Sequence, residues 1–453
     1  MANHYFRPAS GSGAFRLLAL LVFGLLAAAA SPAWGQAGPA DFSDNPSVYI
    51  DINRGAGGRK YNIAITDLLP LAAGGRVDRN AAYLPDRLGK NLAMTGLFNT
   101  IDPRASLEPE ALKRAGLDGG GLPDFPSWSK IGADFLVKGA MSASGSRLTL
   151  EMRLFDVGLG RPIFGKRYAG PAKDARKMIN QFTNSVLEAI TGIPGVFGSE
   201  IIFASGDPSV KDIMLTELGG DDAVLVAGHR GGPSTQPTIG PGGRKAWVRR
   251  NNKVWELVVD GRVVSSGDTH LSPGFKSDGT VAAAVSGPQS TDIYSFAGRN
   301  KTRLTFAGGI NVSPSFSPDG SRMAYASDQG GVVSIYVAPV GGAGQPLVTG
   351  GKATDPVWSP TGEYIAFVSR ETDVCIIRPD GTGLRQLTGG QGTNQRPSFS
   401  PDGRMIVFSS TRNGRAQLFV MAANGDSQQP LMPDYRPPQE QPYWSPLRPA
   451  LAY

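Results

Sequence analysis

The sequence predicts an α/β N-terminal domain followed by an all-β six-bladed β-propeller. Three observations carry this. A heptapeptide, Pro314-Ser315-Phe316-Ser317-Pro318-Asp319-Gly320, returns as Pro397 to Gly403 and, with Trp358 in the aromatic slot, as Pro356 to Gly362. Six prolines, Pro237, Pro273, Pro314, Pro356, Pro397 and Pro442, follow one another at gaps of 36, 41, 42, 41 and 45 residues. The segment before the first of them has a different texture, with two long helical patterns among alternating strands.

A period of about 40–50 residues with several short strands per unit is the mark of propeller blades. Ser-Pro-Asp-Gly suits a type I turn: serine bonds back to the backbone, proline presets φ and glycine relaxes the exit. Alternating strands follow the turn (323–326, 365–368, 405–408), then second strands (335–337, 374–377, 418–421). Short third strands carry Leu347, Leu384 or Leu387, and Leu431, before a glycine-rich loop returns to the next Pro-x-aromatic. The first two copies are worn, to Gly240-Pro241-Gly242-Gly243 and Phe275-Lys276-Ser277-Asp278-Gly279. The last retains Trp444-Ser445-Pro446. The circle closes if the strand at 200–205 joins that last copy, which removes two exposed sheet edges.

At the N-terminus, Arg7 and Arg16 precede an unbroken apolar run at 17–30, short for a membrane span and right for a secretory leader. Ala33-Trp34-Gly35 before Gln36 fits small-x-small cleavage, so residues 1–35 are expected to be a signal peptide. No lipobox cysteine follows, and no later stretch is expected to span a bilayer. The formal charge of +7 becomes +5 once Arg7 and Arg16 leave with the leader, a mild and scattered surplus that gives weak support for acidic partners and little for nucleic acid. Residues 36–46 are small and polar with Phe42 as the single anchor, an arm that reads as spacer or as recognition peptide.

The α/β domain is expected at 47–192. Val48, Ile50 and Ile52 alternate as a strand, and Ile63-Ala64-Ile65 starts another. Asp78 can cap a helix running to about Thr95, and 106–117 suggests a shorter one. Strands at 134–140, 147–156 and 162–168 precede a final helix over 173–191, apolar at Met178, Ile179, Phe182, Val186 and Ile190 and ended by Gly192. Residues 193–199 then form a linker to the propeller at 200–453.

The chemistry expected is that of a binding protein. His229 and His270 stand in different repeats without paired ligands, and no HExxH, CxxC, GxGxxG, P-loop or G-x-S-x-G string occurs, so no metal, cofactor or catalytic residue is expected. The single Cys375 lies within a strand and reads as a core thiol. Loops before each Pro-x-aromatic emerge on one face and place Thr269, His270, Asn311, Lys352, Thr354, Asn394, Arg396 and Arg436 around a mouth. His270 reads either as a solvated loop histidine or as a contact residue there.

Together with the junction Thr191-Gly192-Ile193-Pro194-Gly195-Val196-Phe197, this domain order and terminal Trp444-Ser445-Pro446 resemble the TolB family of the Tol–Pal envelope system. The resemblance covers the whole mature chain. It implies a periplasmic adaptor with no enzymatic activity, whose propeller mouth holds the peptidoglycan-associated lipoprotein Pal and whose arm contacts TolA, supporting outer-membrane integrity and constriction at cell division. It carries a Pal-contacting histidine onto the loop of His270, and TolA contact onto the arm through Gln36, Ala37, Asp41, Phe42 and Asp44. Other outer-membrane or peptidoglycan-associated proteins are further implied partners. The competing readings are a periplasmic propeller enzyme and a glycan-binding propeller without protein partners.

Overall fold

The computed structural model describes residues 59–71, 82–117, 121–228, 231–267, 269–298, 300–348 and 351–448. The leader, the arm, the strand pattern at 48–52 and Asp78 lie outside the described residues.

The N-terminal part is a mixed sheet. Its strands are β1 (Tyr61–Ile65), β2 (Leu69–Pro70), β3 (Phe98–Ile101), β4 (Phe135–Ser144), β5 (Arg147–Asp156) and β6 (Arg161–Pro171), in the order β3-β1-β4-β5-β6 with β2 paired to β4. Helices α1 (Leu84–Met94) and α3 (Ala175–Thr191) bury Leu84, Leu88, Leu92, Met178, Ile179, Phe182, Val186 and Ile190 among inward residues of β4 and β5. Each helix thus shows an apolar stripe at three- and four-residue spacing. Gly192 ends α3 in a left-handed conformation, φ 74°, as glycine at that cap does most cheaply.

The shorter helix expected at 106–117 is absent. In its place is a 3₁₀ turn, Glu110–Leu112, which follows another at Pro103–Ala105, and the short α-helix of this face, α2, lies later, at Phe125–Lys130. The reason is Glu108. Its carboxylate accepts from Lys138 Nζ at 2.9 Å, from Trp128 Nε1 at 3.1 Å and from the Asp124 backbone at 3.2 Å. Lys138 lies on β4 and is 2% exposed at its side chain, and Glu108 is 5% exposed. Satisfying a buried ammonium outweighs the few tenths of a kcal/mol per residue that helix propensity offers. Burial also pulls the Lys138 pKa down, against the pull of Glu108.

The propeller has six four-stranded blades. Its inner strands are Ser234–Ile239, His270–Phe275, Asn311–Phe316, Ala353–Trp358, Asn394–Phe399 and Gln439–Trp444, for blades one to six. Blade six joins both ends of the fold: Gln439–Trp444 pairs antiparallel with Glu200–Asp207, which closes the circle in the way the sequence predicts. The turn chemistry is equally direct. Gly320, Gly362 and Gly403 donate their N–H to the carbonyls of Ser317, Ser359 and Ser400 at 2.8–2.9 Å, and each glycine has a positive φ of 71–75°. Phe316, Trp358, Phe399 and Trp444 are buried between blades.

The expected linker at 193–199 is packed. Asn184 of α3 clamps Phe197, donating to its carbonyl at 3.0 Å and accepting from its N–H at 2.9 Å, and Trp444 Nε1 donates to Ser199 Oγ at 2.7 Å. One apolar core runs from α1 and α3 through Val196 and Phe197 into blades five and six. Arg404, just after the fifth turn, donates to Thr191 Oγ1 at 2.7 Å. The N-terminal sheet and helices therefore sit against the turn-bearing face, and the opposite ends of the inner strands open away from them.

Candidate functional site

Each inner strand starts at the open mouth and runs down the propeller axis to its turn. Three residues before each repeat proline stand Ser234, His270, Asn311, Ala353, Asn394 and Gln439, all buried. Asn311 Nδ2 donates to the carbonyls of Thr291 (3.1 Å) and Gly308 (3.0 Å), while its Oδ1 accepts from Ser327 Oγ at 2.8 Å. Asn394 repeats the pattern, donating to Thr372 O at 2.9 Å and accepting from Ser410 Oγ at 2.8 Å and Arg412 Nη2 at 2.9 Å. Gln439 donates to the carbonyls of Met432 and Tyr435 and accepts from the Leu418 N–H. These three amides staple their inner strands to the loop behind and to the preceding blade.

This corrects the loop reading. His270, Asn311, Thr354, Asn394 and Arg396 lie within strands. His270 is 1% exposed, its Nε2 is 2.8 Å from Ser265 Oγ and its ring packs 6.4 Å from Phe296. It is neither solvated nor at the surface. Of the other expected mouth residues, Lys352 is exposed and pairs with Glu371 at 3.0 Å. Arg436 is exposed as well, and its carbonyl accepts from the Arg415 guanidinium. Thr269 and Thr354 are half-buried, and Thr269 O accepts from the Ser286 N–H at 3.0 Å.

The residues that face the axis are a different set. Immediately before the six prolines stand Gln236, Ser272, Ser313, Asp355, Arg396 and Gln441, all with positive φ of 47–56°. None is glycine, and a following proline further disfavours helical backbone angles. Such strain costs about 1–3 kcal/mol per residue and gathers at functional positions. At each of the six the pairing with the next strand slips by a residue, a β-bulge that re-aims the side chain.

The result is a polar belt across a cavity of about 370 Å³. Gln441 Oε1 accepts from the Gln236 N–H at 2.8 Å, and Gln236 Oε1 accepts in turn from the Ser272 N–H. Ser313 Oγ lies 3.3 Å from both Ser272 Oγ and Asp355 Oδ1, and Arg396 Nε lies 3.2 Å from Asp355 Oδ1. Below the belt the lining turns apolar, with the repeat prolines and Phe316, Trp358 and Phe399. The arrangement offers a recess with mixed donors and acceptors, suited to recognition. Of the expected mouth residues only Arg396 belongs to this belt. The signal for the rest is in the sequence: the position before the repeat proline is polar in all six copies.

Among the described residues no group of three or more His, Cys, Asp or Glu side chains is placed to hold a metal ion, and no helix is long and apolar enough to cross a membrane. Cys375 is buried, and burial pushes its thiol up to about 11, far from a reactive thiolate.

Comparison with known proteins agrees with this architecture. The family described as TolB amino-terminal domain matches residues 48–163, and that described as TolB beta propeller domain matches 187–448. A protein TolB homolog of Chlorobium luteolum is 33% identical over 414 residues, covering 88% of this chain and 92% of that one. The Tol-Pal system protein TolB of Syntrophotalea carbinolica is 34% identical over 192 residues, 42% of this chain and 44% of its own length. The crystal structure of TolB from Acinetobacter baumannii shares the fold, with a TM-score of 0.72 at 22% identity over 86% of this chain and 98% of that one. With one relative matched along 88% of its length and both domains recognised in order, this chain belongs to the TolB family and is a component of the Tol–Pal system.

Proposed function

We propose that the chain is an exported periplasmic adaptor without enzymatic activity, which seats Pal on the propeller mouth and engages TolA through residues 36–46. In this reading Thr269, Lys352, Thr354, Arg396 and Arg436 contact Pal, while His270, Asn311 and Asn394 act from beneath by holding the loops in place. Gln36, Ala37, Asp41, Phe42 and Asp44 supply the TolA contact, and the pair of interactions supports outer-membrane integrity and constriction at division. The observation that carries the reading is the polar belt around the propeller axis, which borders the axial cavity at the end remote from the turns and from the N-terminal sheet and helices. A partner can sit there while the other face of the propeller stays engaged within the chain.

Titration of purified Pal against the mature chain tests this. The double variant Lys352→Glu/Arg436→Glu is expected to weaken binding tenfold or more, about 1.4 kcal/mol, with an unchanged melting curve. Deleting 36–46 should abolish TolA binding and leave Pal binding and melting temperature nearly unchanged. Equal Pal affinities for wild type and the double variant would remove the mouth from the interface.

A further inference from the structure

We propose that the belt contains a carboxylate-binding subsite between Arg396 and Gln441. Five of the six steps around the belt are joined by polar contacts, running from Gln441 through Gln236, Ser272, Ser313 and Asp355 to Arg396. The sixth step, from Arg396 back to Gln441, brings donors to both sides. The Gln236 N–H fixes Oε1 as the inward acceptor of Gln441, so its Nε2 is the group left over. Arg396 meets Asp355 through Nε, which leaves Nη1 and Nη2; among the described residues none accepts a hydrogen bond from these atoms or from Gln441 Nε2.

Both residues line the axial cavity on neighbouring inner strands, and the Arg396 side chain is only 27% exposed. A partly buried guanidinium edge and an amide N–H on the next inner strand, both lining one cavity, select a ligand that only accepts. The planar fork of Nη1 and Nη2 matches two oxygens of one carboxylate. Asp355 already places one negative charge against the same guanidinium. A singly charged carboxylate is therefore favoured over a doubly charged phosphate, and a cation meets only donors at this step. Lys276, the other charged residue lining the cavity, lies at its turn end and is bound 3.0 Å from Asp278. The backbone points the same way. Glycine would hold φ 53° without strain, yet the position carries arginine.

The carboxylate has two sources: a small free acid entering the channel, or an acidic side chain projecting from a protein seated at the mouth. The subsite does not depend on which protein that is. Acetate, the tripeptide Gly-Asp-Gly with blocked ends and its Gly-Asn-Gly counterpart, titrated into the mature chain at constant ionic strength, distinguish these sources. The readout is the Arg396 side-chain NMR resonance together with calorimetry. Saturable binding of both acetate and the Asp peptide assigns a free acid, and binding of the Asp peptide alone assigns a projecting side chain. In either case the Asn peptide is expected to fail. Arg396→Gln and Arg396→Lys should each lose at least tenfold in affinity, the lysine because it keeps the charge and lacks the fork. Asp355→Asn should tighten binding several-fold, by removing the competing charge, and Lys276→Gln should change nothing. Melting curves identify any variant that fails to fold, and the opposite sign of Asp355→Asn keeps the test decisive if one does. Absence of saturable binding by both carboxylates, or binding indifferent to Arg396→Gln, would overturn the subsite.

Discussion

The staple and the belt lie two residues apart on the same inner strands, and they treat polar side chains in opposite ways. Asn311 is fully buried with its amide committed on both sides, whereas Arg396 reaches the axis with most of its guanidinium uncommitted to the protein. In an unbroken strand, residues two apart share a face. The bulge and the left-handed residue between proline and staple break that rule and turn the second side chain toward the axis. One strand thereby supplies both a fixed wall and a recognition surface.

The largest effect expected from this contrast is at the staple. Asn394→Ala strands the Thr372 carbonyl, the Ser410 hydroxyl and part of the Arg412 guanidinium without their buried partner. A buried group left unsatisfied costs about 1–3 kcal/mol, and more when charged. The expected loss is about 3 kcal/mol in denaturant unfolding. His270→Ala removes one such contact and a ring packed on Phe296, with an expected loss of about 1–3 kcal/mol. Folding as stable as wild type in both variants would erase the distinction between staple and belt.

How far the sequence reveals this pattern depends on which force is at work. Blade number, turn type and closure of the circle follow from local chemistry: Ser-Pro-Asp-Gly sets its own dihedrals, and the large apolar residue two positions after each proline, aromatic in five of the six copies, has nowhere to go but between blades. Helix α3 is legible for the same reason, since its stripe and its terminal glycine are local. The segment at 106–117 is not, because a buried lysine thirty residues away decides its path. His270 fails for a related reason. Histidine in a loop-like stretch suggests exposure, and only the pairing of His270 with Val285 places it inside a sheet. The belt was hidden by strain, since no propensity favours a non-glycine left-handed residue before proline. Its polarity in all six repeats was the readable trace.

A smaller effect with the opposite sign sharpens the comparison. Ser313 holds φ 56° and makes two long contacts of 3.3 Å. Ser313→Gly relieves the left-handed strain and should leave stability unchanged or raise it by up to about 1 kcal/mol, after the extra entropy of the unfolded glycine is counted. Asn311→Gly, two residues earlier, should instead cost about 2 kcal/mol or more through lost buried hydrogen bonds. Equal shifts at the two positions, measured by chemical unfolding, would show that the left-handed backbone carries no strain.

The smallest effect lies at the turn end of the same strands and appears only in acid. Asp278 is lowered to about 2, first by the Thr280 backbone N–H and then by Lys276. Asp319 is likewise lowered to about 2, first by the Ser317 hydroxyl and then by the Ser321 hydroxyl and backbone. Both carboxylates are more acidic folded than unfolded, where an aspartate titrates near about 3.9. The folded state therefore binds fewer protons between these values, and stability falls as pH drops. The contribution is fully present above about pH 4 to 5 and is lost by about pH 2. Solvent screening at these exposed turns keeps it small. Asp319→Asn should flatten the slope of stability against pH between about 4 and 2, with little change near neutrality beyond the loss of turn hydrogen bonds. Asn394→Ala, which removes no titrating group, should lower the whole curve and keep its slope. An unchanged acid slope in Asp319→Asn would show that the turn carboxylate is equally free in the folded and unfolded chains.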